Sequence, residues 1–167
     1  MIDLGNVEHA NMVSLREITF ASVREVLALE VDQRQRAYVA SNATSIAEGH
    51  FNPGAWFRAV YAGESPVGFI ALVDPRAPGA ISRGVILPGE VLLWRLMIGY
   101  RYQRRGYARQ ALDLVRSHIR SRPGVVRMIS SYVPGDHGPE TFYLRYGFQK
   151  TGRFRADGRE VEIWIAP

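Results

Sequence analysis

The stretch between residues 91 and 119 constrains the fold more than any other part of the sequence. Its first part, Val91–Ile98, is apolar on both faces, and such a strand is typical of the centre of a sheet. Apolar residues then recur at helical spacing, at Ala108, Ala111, Leu112, Val115 and Ile119. A buried strand that leads into an amphipathic helix predicts a sheet with helices packed on its faces.

The rest of the chain carries elements of the same two kinds. Periodicity and turn residues predict further strands at Val13–Ile18, Trp56–Ala62, Pro66–Val73, Val125–Val133, Phe148–Phe154 and Glu160–Ile165. They predict further helices at Ser22–Val31, Ser45–Gly49 and Pro139–Tyr146. The expected element order is β-α-α-β-β-β-α-β-α-β-β. We therefore expect a mixed α/β (α+β) fold.

Length and composition predict one domain over residues 1–167. The absence of cysteine excludes disulfides, thiolate metal sites and a cysteine nucleophile, and the four histidines show no metal-ligand spacing. The N-terminus lacks the pattern of a signal peptide, and no apolar run approaches the ~20 residues of a membrane span. We expect a cytoplasmic protein with no metal and no membrane partner.

The net charge of +5 hides a division between the two halves of the chain. Residues 1–90 carry seven Arg against ten Asp and Glu, a net charge of −3. Residues 91–167 carry thirteen Arg and one Lys against six Asp and Glu, a net charge of +8. This division predicts that an anionic ligand binds to the second half.

The segment Gln103–Arg109 joins the apolar strand to the amphipathic helix and is the best candidate for that anion site. The unpaired N–H groups of a helix's first turn attract anions, and Gly106 is small where backbone approaches a ligand. Arg101, Arg104, Arg105 and Arg109 add positive charge around it. The segment fits neither a Walker A loop nor the dinucleotide-binding fingerprint. A solvated arginine-rich helix start and a nucleic-acid patch are the alternatives.

Two segments resemble those of a known family. Gln103-Arg104-Arg105-Gly106-Tyr107-Ala108 matches the Gln/Arg-x-x-Gly-x-Gly/Ala signature of the GNAT superfamily of acyl-CoA-dependent N-acetyltransferases. Residues 134–148 resemble its Asn-x-x-Ala-x-x-x-Tyr-x-x-x-Gly-Phe segment, with Asp136 where Asn is usual. The resemblance implies a GNAT-like sheet of six to seven mostly antiparallel strands with helices on both faces.

The resemblance also implies acetyl-CoA as the cosubstrate and assigns it a set of residues. The strand backbone would hydrogen-bond the pantetheine arm, the loop N–H groups would hold the pyrophosphate, and Tyr143 would protonate the leaving thiolate as general acid. The residues that the resemblance assigns to acetyl-CoA are Leu96, Met97, Ile98, Gln103, Arg104, Arg105, Gly106, Tyr107, Ala108, Arg109, Asp136 and Phe142.

The general base is not evident from the sequence. Leu92 stands where many family members have a glutamate. An ammonium acceptor must lose a proton before it attacks, so another route is required. Glu48 is one candidate, as base or as a contact of the amine. Glu30, Glu90, which would lie solvated at the mouth of the strand, and a water chain that ends at a backbone carbonyl are the others.

A second, less specific resemblance concerns the molecule that accepts the acetyl group. The segments 30–48, 94–103 and Asp157-Gly158-Arg159-Glu160 resemble bacterial spermine/spermidine (diamine) acetyltransferases. It implies a polyamine acceptor held by Glu30, Asp32 and Glu48, although these acids could equally be the solvated face of a surface helix. The alternatives are another amine (a protein N-terminus, an amino acid or an aminoglycoside), a non-catalytic acyl-CoA-binding protein and a nucleic-acid-binding protein. We expect a small-molecule partner and no nucleic acid, and exposed sheet edges of this kind are compatible with a homodimer.

Overall fold

A computed structural model describes residues 12–82, 86–156 and 158–167, and within these ranges the chain forms seven strands and four α-helices. The strands are β1 (Val13–Arg16), β2 (Ala55–Ala62), β3 (Ser65–Val73), β4 (Glu90–Ile98), β5 (Arg127–Tyr132), β6 (Gln149–Arg155) and β7 (Glu160–Ile165). The helices are α1 (Val23–Leu27), α2 (Asn42–His50), α3 (Tyr107–Arg120) and α4 (Glu140–Tyr146), with 3-10 turns at Gln33–Gln35 and Tyr100–Tyr102. The predicted order of strands and α-helices is confirmed.

All seven strands belong to one sheet, in the order β1-β2-β3-β4-β5-β7-β6. Neighbouring strands run antiparallel except β4 and β5, which are parallel. The expectation of a mixed, mostly antiparallel sheet is therefore confirmed. The apolar strand predicted to be central, β4, lies fourth of the seven.

Helices cover both faces of this sheet, as predicted. The amphipathic stripe of α3 is fully buried against one face, through Ala111, Leu112, Val115 and Ile119. On the other face, Val26 of α1 and Ile46 of α2 pack in a cluster with β2, β3 and β4. Burial of these stripes rather than intrinsic propensity accounts for most of the stability of such short helices.

Strands β4 and β5 stay paired for only three residues each. Glu90–Leu92 pairs with Arg127–Ile129, and no further β4–β5 pairing occurs among the described residues. The register between β4 and β3 also shifts, because Leu72 pairs with Leu93 and Ala71 pairs with Arg95. One extra residue in β4 bends the strand. Beyond Leu93, the described residues of β5 form no ladder with β4, and this edge of β4 is open.

Two predictions about the first half of the chain were wrong. The helix predicted over Ser22–Val31 ends at Leu27. The following chain is tied elsewhere, since the Glu30 carbonyl accepts a hydrogen bond from the Tyr100 N–H at 2.8 Å. Leu29 and Val31 still pack against the α1–α2 cluster, so the apolar spacing reflects burial without a helix.

Glu90 was expected to be solvated and is instead 1% exposed. Its Oε2 accepts a hydrogen bond from the Leu87 N–H at 2.8 Å, and its Oε1 lies 3.4 Å from Nε of Arg127 and 3.7 Å from Nη2 of Arg153. A buried carboxylate is tolerated when it is paired in this way. Glu90 is a structural residue at the start of β4.

Candidate active site

The segment that joins β4 to α3 turns through two residues in the left-handed backbone region. Arg104 has φ +64° and Gly106 has φ +81°. A Cβ on Gly106 would meet nothing within 4 Å, so the backbone angle rather than lack of space favours glycine there. Gly106 caps α3 and offers no side-chain oxygen to its first N–H groups. The free N–H groups and the dipole of a 14-residue helix are of the kind that attracts an anion.

Gln103 holds this segment against the rest of the site. Its side-chain amide donates hydrogen bonds to the Ile98 carbonyl at 3.0 Å and to Oε1 of Gln35 at 2.8 Å. The bonds tie the loop to the end of β4 and to the 3-10 turn Gln33–Gln35. Gln103 therefore positions the loop with its side chain, and its backbone is the part that remains for a ligand.

A cleft of about 1710 Å³ opens where β4 and β5 separate. It runs from the loop before α3, past the open edge of β4, to the β6–β7 turn and the end of α2. Its lining includes these residues predicted from sequence: Glu48, Leu96, Met97, Ile98, Gln103, Arg104, Gly106, Tyr107, Ala108, Arg109, Phe142 and Tyr143. The structure thus brings most of the residues assigned to acetyl-CoA together with the proposed acid.

The other predicted residues lie outside this cleft. Asp32 and Asp136 line a smaller adjoining cavity of about 860 Å³, which also touches Arg104. Glu30 and Arg105 line neither cavity. The guanidinium of Arg105 lies 5.9 Å from the ring centre of Tyr102.

Tyr143 lies on α4 at the point where the strands separate. It is 6% exposed and packs edge-on against Phe148 at 5.2 Å between ring centres. Burial raises the pKa of Tyr143 to about 12, and the hydrogen bond with Ser130 opposes the shift. The phenol is therefore protonated at neutral pH and can act as a proton donor.

Each of the three acids predicted to face an amine contacts an arginine. Glu30 lies 2.8 Å from Arg36, and Glu48 lies 3.3 Å from Arg95. Asp32 accepts hydrogen bonds from the Arg34 side chain and N–H, which lower the pKa of Asp32 to about 2. A cationic acceptor would have to share these carboxylates with arginines that are already bound.

Glu160, quoted above only within the resemblance to diamine acetyltransferases and given no role there, also lines the cleft. Its Oε2 accepts a hydrogen bond of 2.5 Å from Oγ of Ser131, a residue 29 positions away. The available signal was alternation, because Glu160, Glu162 and Trp164 place two acids on one face of a closing strand. The neighbouring Asp157, part of the turn quoted above, lies outside the described residues.

The residues that the structure describes form neither a metal-binding cluster nor a membrane-spanning helix. No group of three or more His, Cys, Asp or Glu side chains is arranged to hold a metal ion. In the same ranges, no helix combines the length and apolar character needed to cross a membrane.

The profile of the Acetyltransferase (GNAT) family matches residues 14–148, so the chain belongs to this family. An uncharacterized N-acetyltransferase of Staphylococcus epidermidis is 26% identical over 111 residues, which are 65% of this chain and 67% of the relative. Together these similarities identify an acetyl-CoA-dependent N-acetyltransferase.

Two solved structures show the same fold at low identity. The aminoglycoside acetyltransferase AAC(6')-Ib in complex with coenzyme A is 14% identical, with a TM-score of 0.72 over 92% of this chain and 94% of that one. The PaiA N-acetyltransferase of Thermoplasma acidophilum in complex with coenzyme A is 14% identical, with a TM-score of 0.65 over 93% and 99%. At this identity the similarity establishes the fold alone.

Proposed function

We propose that this chain transfers the acetyl group of acetyl-CoA to the primary amine of a small molecule by direct attack. The separation of β4 from β5 is the observation that carries the proposal. It leaves a strand edge open between an anion site at the N-terminus of α3 and the buried phenol of Tyr143. A long cosubstrate with a phosphate at one end and a thioester at the other matches this layout.

The cosubstrate would occupy the cleft in two parts. The backbone N–H groups from Arg104 to Arg109 would hold the pyrophosphate, assisted by the side chains of Arg104 and Arg109 at the cleft wall. The open edge of β4 at Leu96, Met97 and Ile98 would hydrogen-bond the pantetheine arm as an added strand would. The two solved structures with this fold that contain coenzyme A support it as the cosubstrate.

Tyr143 would then act at the sulfur. The neutral amine attacks the thioester carbonyl carbon, the C–S bond breaks, and the sulfur takes the phenol proton. A free phenol has a higher pKa than a free thiol, so this transfer requires help from the site. Desolvation of the thiolate in the cleft raises its proton affinity, and this offsets the rise that burial produces in the pKa of Tyr143.

A polyamine such as spermidine or spermine is the specific acceptor that we propose. The cleft lining offers Glu48, and Asp32 lies in the adjoining cavity, as carboxylates for cationic nitrogens. Their arginine partners, Arg95 and Arg34, oppose this proposal. An aminoglycoside, the acceptor named for one relative with this fold, an amino acid and a protein N-terminus are therefore tested alongside.

The test measures thiol release from acetyl-CoA across a panel of amines. Because the chain has no cysteine, a thiol reagent reports coenzyme A alone. We expect turnover with spermidine and spermine. If both are inert while an aminoglycoside, an amino acid or a peptide is acetylated, the polyamine proposal is wrong and acetyl transfer stands. If no amine in the panel is acetylated, the proposal of a small-molecule acceptor fails.

Three further expectations stay predictions. We propose that the chain acts in the cytoplasm, binds no nucleic acid and forms a homodimer. Salt-dependent gel shifts with duplex DNA test the absence of nucleic-acid binding. Analytical ultracentrifugation tests the homodimer in solution.

A further inference from the structure

Strand β5 carries two consecutive serines just beyond its short paired stretch with β4. The Ser130 hydroxyl donates to the Leu93 carbonyl at 2.9 Å, and Ser130 also lowers the pKa of Tyr143. The Ser131 hydroxyl donates to Oε2 of Glu160 at 2.5 Å. Successive side chains of a strand point to opposite faces of the sheet. Ser130 therefore lies on the face of the sheet that carries Tyr143, and Ser131 lies on the face that carries Glu160.

The strand register identifies the face on which Glu160 lies. Ile129 pairs with Leu92 of β4 and with Trp164 of β7. These side chains cluster on one side of the sheet. Ser131 lies two residues after Ile129, and Glu160 lies four residues before Trp164, so both share that side. Tyr143 belongs to the cluster on the opposite side, with α3.

We propose that Glu160 is the group that takes the proton of the acceptor's ammonium. The inference rests on the proposed acetyl transfer and adds the residue that makes the amine nucleophilic. Acid and base then stand on opposite faces of the gap between β4 and β5, so the thiol leaves from one side and the amine enters from the other.

The charges around Glu160 distinguish it from Glu48. Among the described residues that line the cleft, these two are the carboxylates. Glu48 contacts Arg95 at 3.3 Å, whereas the hydrogen-bond partner of Glu160 is the neutral hydroxyl of Ser131. A carboxylate held by a neutral donor can accept a proton without breaking an ion pair.

Among the described residues, the three arginines of β6 and the β6–β7 turn closest to Glu160 in sequence or register each bond to another group. Arg155 of β6 stands opposite Glu160 in the register, but its Nη1 lies 3.1 Å from Oε2 of the buried Glu162. Arg153 lies 2.7 Å from the other oxygen of Glu162. Arg159 follows the β6–β7 turn and donates from Nε to the Ala156 carbonyl.

The proton balance is complete with the two residues. The ammonium gives one proton to Glu160, and the freed lone pair attacks the thioester carbon. As the C–S bond breaks, the sulfur takes the proton of Tyr143, and the nitrogen, now bonded to carbon, loses its second proton, which restores the phenol. Glu160 releases its proton to solvent, so one amide, one thiol and one proton are the products.

The test is the pH profile of Glu160→Gln with an accepted amine. We expect kcat to fall about 10²-fold at neutral pH, as loss of a general base does. The remaining rate should rise about tenfold per pH unit until the amine itself is neutral, because the variant needs a pre-formed free amine. Wild-type activity should level off at lower pH. Acetyl-CoA affinity and the melting temperature should stay unchanged.

Two further variants keep the result unambiguous. Glu160→Asp should restore part of the rate, and Glu64→Gln, at an exposed glutamate of the β2–β3 turn, should match wild type. If the wild type acetylates an amine but Glu160→Gln keeps its kcat and pH profile, this inference is wrong and the proposed function stands. If the wild type acetylates no amine, both this inference and the proposed function are wrong.

Discussion

The Ser130 hydroxyl lies 2.9 Å from the Leu93 carbonyl and donates a hydrogen bond to it, at the first residue of β4 beyond its pairing with β5. This bond satisfies a buried carbonyl that the separation of the strands would otherwise leave unpaired. Ser130 is 3% exposed, so water does not compete for the bond. The β4–β5 ladder is therefore followed by a bond from a side chain, and the same serine lowers the pKa of Tyr143.

Tyr143→Phe tests the assignment of the general acid. We expect kcat to fall at least about tenfold with little change in acetyl-CoA affinity, because the ring still packs against Phe148 and only the hydroxyl is lost. The measurement is thiol release under saturating acetyl-CoA, with affinity from calorimetry.

Tyr146→Phe on the same helix is the matched control for this variant. Its hydroxyl donates to Asp113 at 2.7 Å, away from the cleft. We expect the free energy of unfolding of this variant to fall by about 1 kcal/mol and its activity to equal that of the wild type. Equal kcat in wild type and Tyr143→Phe would remove Tyr143 as the acid.

Gly106→Ala tests the role of the left-handed backbone before α3. Because the added Cβ would meet open space, the effect comes from φ +81° alone and should destabilise the local turn by roughly 1–2 kcal/mol. If the N–H groups of this turn hold the pyrophosphate, acetyl-CoA should bind about tenfold more weakly.

Gly152→Ala provides the comparison, since Gly152 has φ +80°, equally open surroundings and a position on β6 away from the cleft. It should lower the melting temperature to a similar extent and leave acetyl-CoA binding intact. Equal affinities of acetyl-CoA for the two variants would contradict the pyrophosphate site.

The sequence was sufficient to predict the features that depend on neighbours along the chain. The apolar run of β4, the stripe of α3 and the small residues between them lie within 29 consecutive positions, and all follow from local periodicity. The separation of β4 from β5 could not be predicted from periodicity, since it depends on pairing between strands that lie far apart in the sequence.

The contacts between side chains in the site are the main feature that the sequence could not predict. Glu48 and Arg95 are 47 positions apart, and Ser131 and Glu160 are 29 apart, so neither pair leaves a local pattern. Composition predicted an acidic half and a basic half of the chain. It could not show that the acids assigned to the amine would each bind an arginine, or that Glu160 would contact a serine.

Asp74→Asn tests an ion pair that ties the β3–β4 connection to the end of α3. Hydrogen bonds from Arg76 are the main cause that lowers the pKa of Asp74 to about 2, and Arg122 contributes from 3.1 Å. A carboxyl whose pKa is lowered on folding stabilises the protein above its unfolded pKa of 3.8, and that stability is lost as pH falls towards 2. We expect the variant to be less stable by roughly 2 kcal/mol at pH 7, with the difference shrinking below pH ~4. Urea unfolding of both proteins from pH 7 to pH 3 measures this, and a difference that stays constant over that range would show that the charge of Asp74 is not its cause.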